Sequence, residues 1–284
     1  MSGIIGHELL HKKEWYNKVI GTWGYTKFCY SHFLDEHVRG HHKTIATPMD
    51  PATARKDQYL WSFIIQSFLG SHVSVWNMET QRIKKEEGKD VPFWKIVYKN
   101  KMTMYFCIHS TMLLGIYYFL GWESIKYQLC YNCWGVLFLE SINYIEHYGL
   151  LRRQDENGIY ESISKMHSWN SKSGPVLIRL QRHSDHHAHA HRPYQILRRF
   201  DEAPFLPFDY LHSVLLCQCP PLWFYLMNPR VEAVRDLAEG KKGNKTQYNL
   251  YMPETADDKK RKIVGWAALA AFQVFLTYFT FIAY

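Results

Sequence analysis

The chain has 284 residues, with 34 Lys+Arg against 26 Asp+Glu and a formal net charge of +8. Hydrophobic residues make up 47% and aromatics 16%, which excludes a disordered polymer because there is ample apolar surface to bury, and 16 Gly exclude a collagen-like repeat. The six Cys show no regular spacing, which argues against a disulfide framework and for a reducing or membrane context. The outlier is His, at 16, and five of these fall in the nine residues from His183 to His191.

In chain order, Met1 to Gly6 is too short for the apolar core of a signal peptide. His7-Glu8-Leu9-Leu10-His11 follows at once, with His7 and His11 spaced i,i+4 and therefore on one helix face. In Glu36-His37-Val38-Arg39-Gly40-His41-His42, the same spacing predicts that His37 and His41 share a face and that His42 is turned about 100° away. Leu60 to Met78 is uncharged but polar enough, with Gln66, His72 and Asn77, to predict a segment in the membrane interface or under a metal site.

Met102 to Trp122 is long and uncharged enough to cross a bilayer, where about 20 apolar residues suffice. Tyr127 to Leu139 leads into Glu140 and Asn143 and predicts a second crossing up to Ile145, joined to the first by a turn around Glu123 to Lys126. His147 follows in Asn143-Tyr144-Ile145-Glu146-His147. The last cluster is His183-Ser184-Asp185-His186-His187, whose i, i+3, i+4 spacing forms one tight face. Tyr210 to Pro229 is uncharged but broken by Pro220 and Pro221, and Ile263 to Tyr284 is a further uncharged candidate span. The basic stretches Arg82 to Lys101 and Arg152 to Arg199 flank these spans and are expected on the cytoplasmic side. No nucleic-acid-binding motif accompanies them, so no nucleic-acid partner is expected.

His7, His11, His37, His41, His42, His147, His183, His186 and His187 are too many ligands for one metal ion, since zinc takes about four. They fit two ions of four or five nitrogens each, and imidazole suits iron, copper, zinc and nickel. Glu8, Glu36, Glu146 and Asp185 lie beside ligands in sequence and are candidates to hold the second ring nitrogens. All nine ligands must meet on one side of a membrane, and the two crossings between His42 and His147 satisfy this. His32, His72, His109 and His212 are isolated and read as core or interfacial; His189 and His191 read as outer or surface residues. A surface His-rich tract for loose metal capture is the plain alternative. His7-Glu8-x-x-His11 also matches the zinc metalloprotease pattern, with Glu8 as general base, but that leaves seven clustered histidines unexplained.

The stretches HELLHKK at 7–13, EHVRGHHKTIATPMDPATAR at 36–55, NYIEHYGLLR at 143–152, HSWNS at 167–171 and LQRHSDHHAHAHRPYQILR at 180–198 carry a resemblance. Over roughly residues 1 to 235 the chain resembles the membrane-bound alkane 1-monooxygenases, within the wider membrane fatty acid desaturase/hydroxylase superfamily. The resemblance implies an all-α integral-membrane helical bundle with a histidine-ligated di-iron site at its cytoplasmic face. It implies O₂-dependent terminal hydroxylation of alkanes or alkyl chains to primary alcohols, with the nine histidines named above as ligands of two non-haem iron ions. Electrons would come from rubredoxin and its reductase, and membrane lipid and an apolar alkyl substrate would be the other partners.

The expected organisation is a di-iron hydroxylase domain over 1–235, a polar linker over 236–262 and an additional C-terminal transmembrane helix over 263–284. The family's helices before its HELxHK box are expected to be missing, because the box begins at His7. No GxGxxG is present, and Cys130-x-x-Cys133, in an apolar run, reads as core, so neither a nicotinamide site nor a fused rubredoxin is expected. A basic rim of Arg152, Arg153, Arg198 and Arg199 would suit an acidic electron donor. A fatty acyl desaturase or hydroxylase with the same iron site, and a truncated homologue that binds metal without oxidising, are the alternatives.

Overall fold

A computed structural model describes residues 2–172, 178–238 and 255–281. The described residues are helical and contain isolated bridges but no strand. The chain divides into two units, one of residues 1–52 and 64–140, the other of residues 53–63 and 141–284.

The first unit opens with α1 (Ser2–Leu10) and α2 (Trp15–Thr26). Glycine sets how closely they cross: a Cβ on Gly21 would lie 2.9 Å from the Gly6 carbonyl and 2.8 Å from Leu10. The crossing is tied by Tyr25, whose hydroxyl donates to the Gly3 carbonyl at 2.8 Å. After a short turn, α3 (Phe33–Asp35) passes into a π-helix, Glu36–His41, and then α4 (His42–Thr44). Leu10, Tyr25, Phe28, Tyr30 and Phe33 are the buried centre of this unit, with Phe68, Val136 and Leu139 packed on it. Burying each such side chain contributes about 1.5–3 kcal/mol.

α5 (Leu60–Glu87) is the polar-bearing helix of the expected interfacial stretch, and it ends at Gly88, whose φ of 103° suits the residue after a helix. α6 (Phe93–Lys99) follows Pro92. α7 (Lys101–His147) is the helix, among the described residues, long and apolar enough to cross a membrane, and only 6% of its most apolar stretch is buried. It is broken at Gly121 (φ 81°, ψ −179°), a conformation that favours glycine. The turn expected at Glu123 to Lys126 is thus displaced to Gly121, because those four residues take helical geometry and glycine does not need to. Cys130 and Cys133, expected in a core, are exposed on this helix.

The second unit carries the end of α7, then α8 (His183–Ala188), α9 (Tyr210–Leu216), α10 (Pro220–Ala238) and α11 (Ala256–Phe281). The expected break at Pro220 is present: α9 ends at Leu216 and Pro220 opens α10, where its missing N–H is no loss. Its core is aromatic, with Tyr144 packed against Phe63, Tyr148 and Trp223. Within the expected linker, residues 239–254 lie outside the described residues, as do 282–284 at the end of the expected C-terminal span.

Candidate metal centre

In the first unit, α1 presents His7 and His11 and the π-helix presents His37. One nitrogen from each lies within 4.8 Å of the other two. The His7 and His37 ring centroids are 4.4 Å apart, and His11 lies 4.8 Å from His42. His42 Nε2 stands 3.1 Å from His37 Nε2. This corrects the expectation that His42 turns away. A π-helix bonds i to i+5, and the His42 N–H indeed reaches the His37 carbonyl, so residues five apart come onto one face. His41, expected on the face of His37, stacks on it with ring centroids 5.4 Å apart.

His41 Nδ1 meets Asp50 Oδ2 at 2.8 Å, and both are buried. A carboxylate there fixes the ring and leaves Nε2 as the electron-pair donor. Burial lowers the basicity of this ring, but Asp50 outweighs it and holds it above the ordinary histidine value. Burial pushes His7 and His37 well below that value, and burial with Lys12 and His41 brings His11 to about 4. Those three are neutral near pH 7, the state a metal ligand requires. Burial raises the Glu36 carboxyl to about 7. Glu36 lies over Gly40, where a Cβ would meet its Oε1 at 2.7 Å. Glu8 is paired with Lys12 at 2.7 Å.

In the second unit, His147 closes α7 while His183, His186 and His187 share α8. His183 Nε2 is 3.3 Å from His147 Nε2, 2.9 Å from His187 Nε2 and 3.1 Å from Glu146 Oε2. His186 packs with its ring centroid 5.4 Å from that of His187. Two nitrogens bound at about 2.1 Å and at right angles would stand about 3.0 Å apart. The three Nε2 atoms therefore sit at the edges of a coordination shell, and imidazole with carboxylate is a donor set that suits iron. Glu146 lies among these atoms rather than behind them.

Asp185 holds Arg192 at 2.8 Å, the Arg198 backbone N–H at 2.7 Å and His189 Nδ1 at 3.0 Å, so it fixes the chain after α8. Of the expected basic rim, Arg198 is spent on Asp185, Arg153 on Glu161 and Arg199 on Asp201. Arg152 stacks over Tyr160.

Two supports were not visible in sequence. Trp169 donates from its backbone N–H to the Glu146 carbonyl and from Nε1 to the Tyr148 carbonyl, both at 2.8 Å. Its neighbour Asn170 accepts from the Ser184 N–H and donates to the Ser184 hydroxyl, both at 2.9 Å. HSWNS thus ties the end of α7 to the start of α8. His32 and His72, read as isolated, pack with ring centroids 3.9 Å apart, His109 meets Ser31 at 2.7 Å, and His212 meets Asp209 at 2.6 Å.

A family model described as fatty acid desaturase matches residues 1–215, a stretch that contains all nine histidines. The chain belongs to the fatty acid desaturase family. Within it, this desaturase-family chain is 39% identical to alkane 1-monooxygenase 1 of Pseudomonas aeruginosa over 81% of its own length and 60% of the relative's. It is 37% identical to the alkane 1-monooxygenase of Acinetobacter baylyi over 86% and 58%. It is 26% identical to the xylene/toluene monooxygenase hydroxylase component of Pseudomonas putida over 78% and 58%. The chain thus spans about three fifths of the length of the curated relatives it matches.

Proposed function

We propose that this chain is an O₂-dependent hydroxylase that converts an alkane or alkyl chain to a primary alcohol at a non-haem di-iron centre. The convergence of His147, His183 and His187 through Nε2, with Glu146 beside them, is the observation that carries the reading. The five imidazoles of the first unit supply the second set of donors. A C–H bond has no charge to grip and no acidic proton, so acid–base groups alone cannot open it. A bound iron pair would supply the redox chemistry with O₂ that such a bond requires.

The protein's own residues have three tasks. The clustered imidazoles hold the ligand positions. Asp50, Trp169 and Asn170 fix the ring and the two helix ends that carry them. The apolar face of α7, with Tyr118, Phe119 and Leu120 exposed, suits membrane lipid, from which an alkyl substrate would arrive. Electrons would come from a protein of the rubredoxin type docking on the basic, cytoplasmic side. The names of the relatives favour alkane over fatty acyl substrates.

The test is iron and zinc analysis of the membrane protein, followed by gas chromatography of products from an alkane and from a fatty acyl substrate, with rubredoxin and its reductase. About two irons per chain, falling in His183→Ala, and 1-alcohol from the alkane are expected. Zinc in place of iron would sink the reading. Product from the acyl substrate alone would move it to a desaturase or acyl hydroxylase.

A further inference from the structure

The first unit contains a row of buried polar groups that binding metal does not require. Tyr30 donates to Glu140 Oε1 at 2.7 Å. Ser71 Oγ lies 3.3 Å from the Tyr30 hydroxyl and 3.0 Å from His32 Nε2. His32 packs on His72 with ring centroids 3.9 Å apart. Tyr30, Ser71, His32 and Glu140 are buried, and His72 is half-buried.

The donor roles follow from the carboxylate end. A carboxylate only accepts, so Tyr30 must donate to it. The Tyr30 oxygen can then accept from Ser71, and Ser71 from a protonated His32 Nε2. The Ser71 hydroxyl also reaches the Phe68 carbonyl at 2.9 Å, a resting position from which it turns to Tyr30. His72 Nδ1 faces that same carbonyl at 2.7 Å and must donate to it, which makes Nε2 its basic nitrogen. At the other end, Tyr30 packs with its ring centroid 6.3 Å from that of Phe33, which in turn stacks on His37 of the ligand cluster at 4.8 Å.

We propose that His32, Ser71, Tyr30 and Glu140 form a proton relay from the His32–His72 pair to the ligand cluster of the first unit. The proposal rests on the hydroxylase reading. Hydroxylation of RH consumes one O₂, two electrons and two protons and yields ROH and H₂O. One oxygen atom enters the C–H bond and the other leaves as water. The donor protein supplies the electrons, and solvent supplies the protons, which need a path into a buried site. The Tyr30–Glu140 bond does not depend on the continuation through a serine to two histidines. That continuation is what stepwise proton transfer requires.

The test mixes reduced, iron-loaded protein with O₂ in weak buffer and follows proton uptake with an indicator dye. Tyr30→Phe, Ser71→Ala and His32→Gln are expected to keep the iron content while slowing uptake about a hundredfold, the low end of what a positioned proton donor contributes. Peroxide should be released in place of water. A second readout needs neither iron nor turnover. In the metal-free protein, the infrared carboxylate band lost in Glu140→Gln should shift in Tyr30→Phe and again, less, in Ser71→Ala. Unchanged uptake in all three variants, or a Glu140 band indifferent to Tyr30→Phe, overturns the relay. Slowed uptake in a protein that makes no alcohol supports the relay and counts only against the alkane.

Discussion

His37 and His42 bring their Nε2 atoms to 3.1 Å although five residues separate them, because the backbone between them is wound as a π-helix. In an α-helix, residues five apart point about 140° away from each other. The wider turn therefore selects which imidazole nitrogens come together, and it does so inside a motif whose spacing suggests otherwise. π-turns are rare and occur often at functional sites.

Gly40 lies within that turn. Replacing a helical glycine with alanine normally stabilises by about 1 kcal/mol. Here the added methyl would press on the Glu36 carboxylate at 2.7 Å. Gly40→Ala is expected to be destabilising, by about 1–3 kcal/mol less the propensity gain, and to lower bound iron. Glu36→Asp in the same chain should relieve both effects. Denaturant unfolding and iron analysis of the two variants check this.

Asp50 holds His41 through Nδ1. Asp50→Asn keeps the shape but removes the charge, and it is expected to weaken metal affinity about 10–100-fold. Competition with a chelator of known affinity measures it. An unchanged affinity would show that the contact does not support a ligand.

Trp169 is fully buried and anchors both Glu146 and Tyr148. Trp169→Ala is expected to cost about 3–5 kcal/mol. Trp169→Phe, which keeps most of the packing and loses one hydrogen bond, should cost about 0.5–1.5 kcal/mol from that bond. If Trp169 positions the second cluster, both variants lose iron in the order of their instability. Iron loss in neither would confine its role to packing.

Acid should loosen the first unit through Glu79. This buried carboxylate lies 2.6 Å from Arg39 and 2.9 Å from Arg82. Burial alone would raise its proton affinity, but the two arginines outweigh burial and hold it below the ordinary carboxyl value of 4.5. A lowered folded value means that its stabilisation is complete above that ordinary value and is lost as pH falls through the folded one. Glu79→Gln should flatten the acid limb of the stability profile and cost about 1–3 kcal/mol at neutral pH, since the arginines are one-third exposed. Thermal unfolding from pH 7 to pH 3 resolves the limb.

The sequence was most informative where ligands are local. The i,i+4 pair in α1 and the i, i+3, i+4 set in α8 are gathered as their spacing predicts, because a helix converts spacing directly into facing. The π-turn escaped, since nothing in Glu36–His41 distinguishes a five-residue bond from a four-residue one. Asp50 escaped because no helix links it to His41. Pairs such as His32 with His72 and Tyr30 with Glu140 are 40 or more residues apart, and only tertiary packing brings them together. The break in α7 was expected a few residues late. The loop charges mark water there, while the backbone turns at the nearest residue without a Cβ.

That residue also limits length. A straight helix of 47 residues would run about 70 Å, more than twice the hydrocarbon depth of about 30 Å. No bilayer could hold it without exposing apolar surface to water or dragging polar ends through lipid. Gly121 cuts the rod into pieces of about 30 and 39 Å, each long enough for one crossing. A residue without a side chain thus turns one overlong rod into two pieces of crossing length.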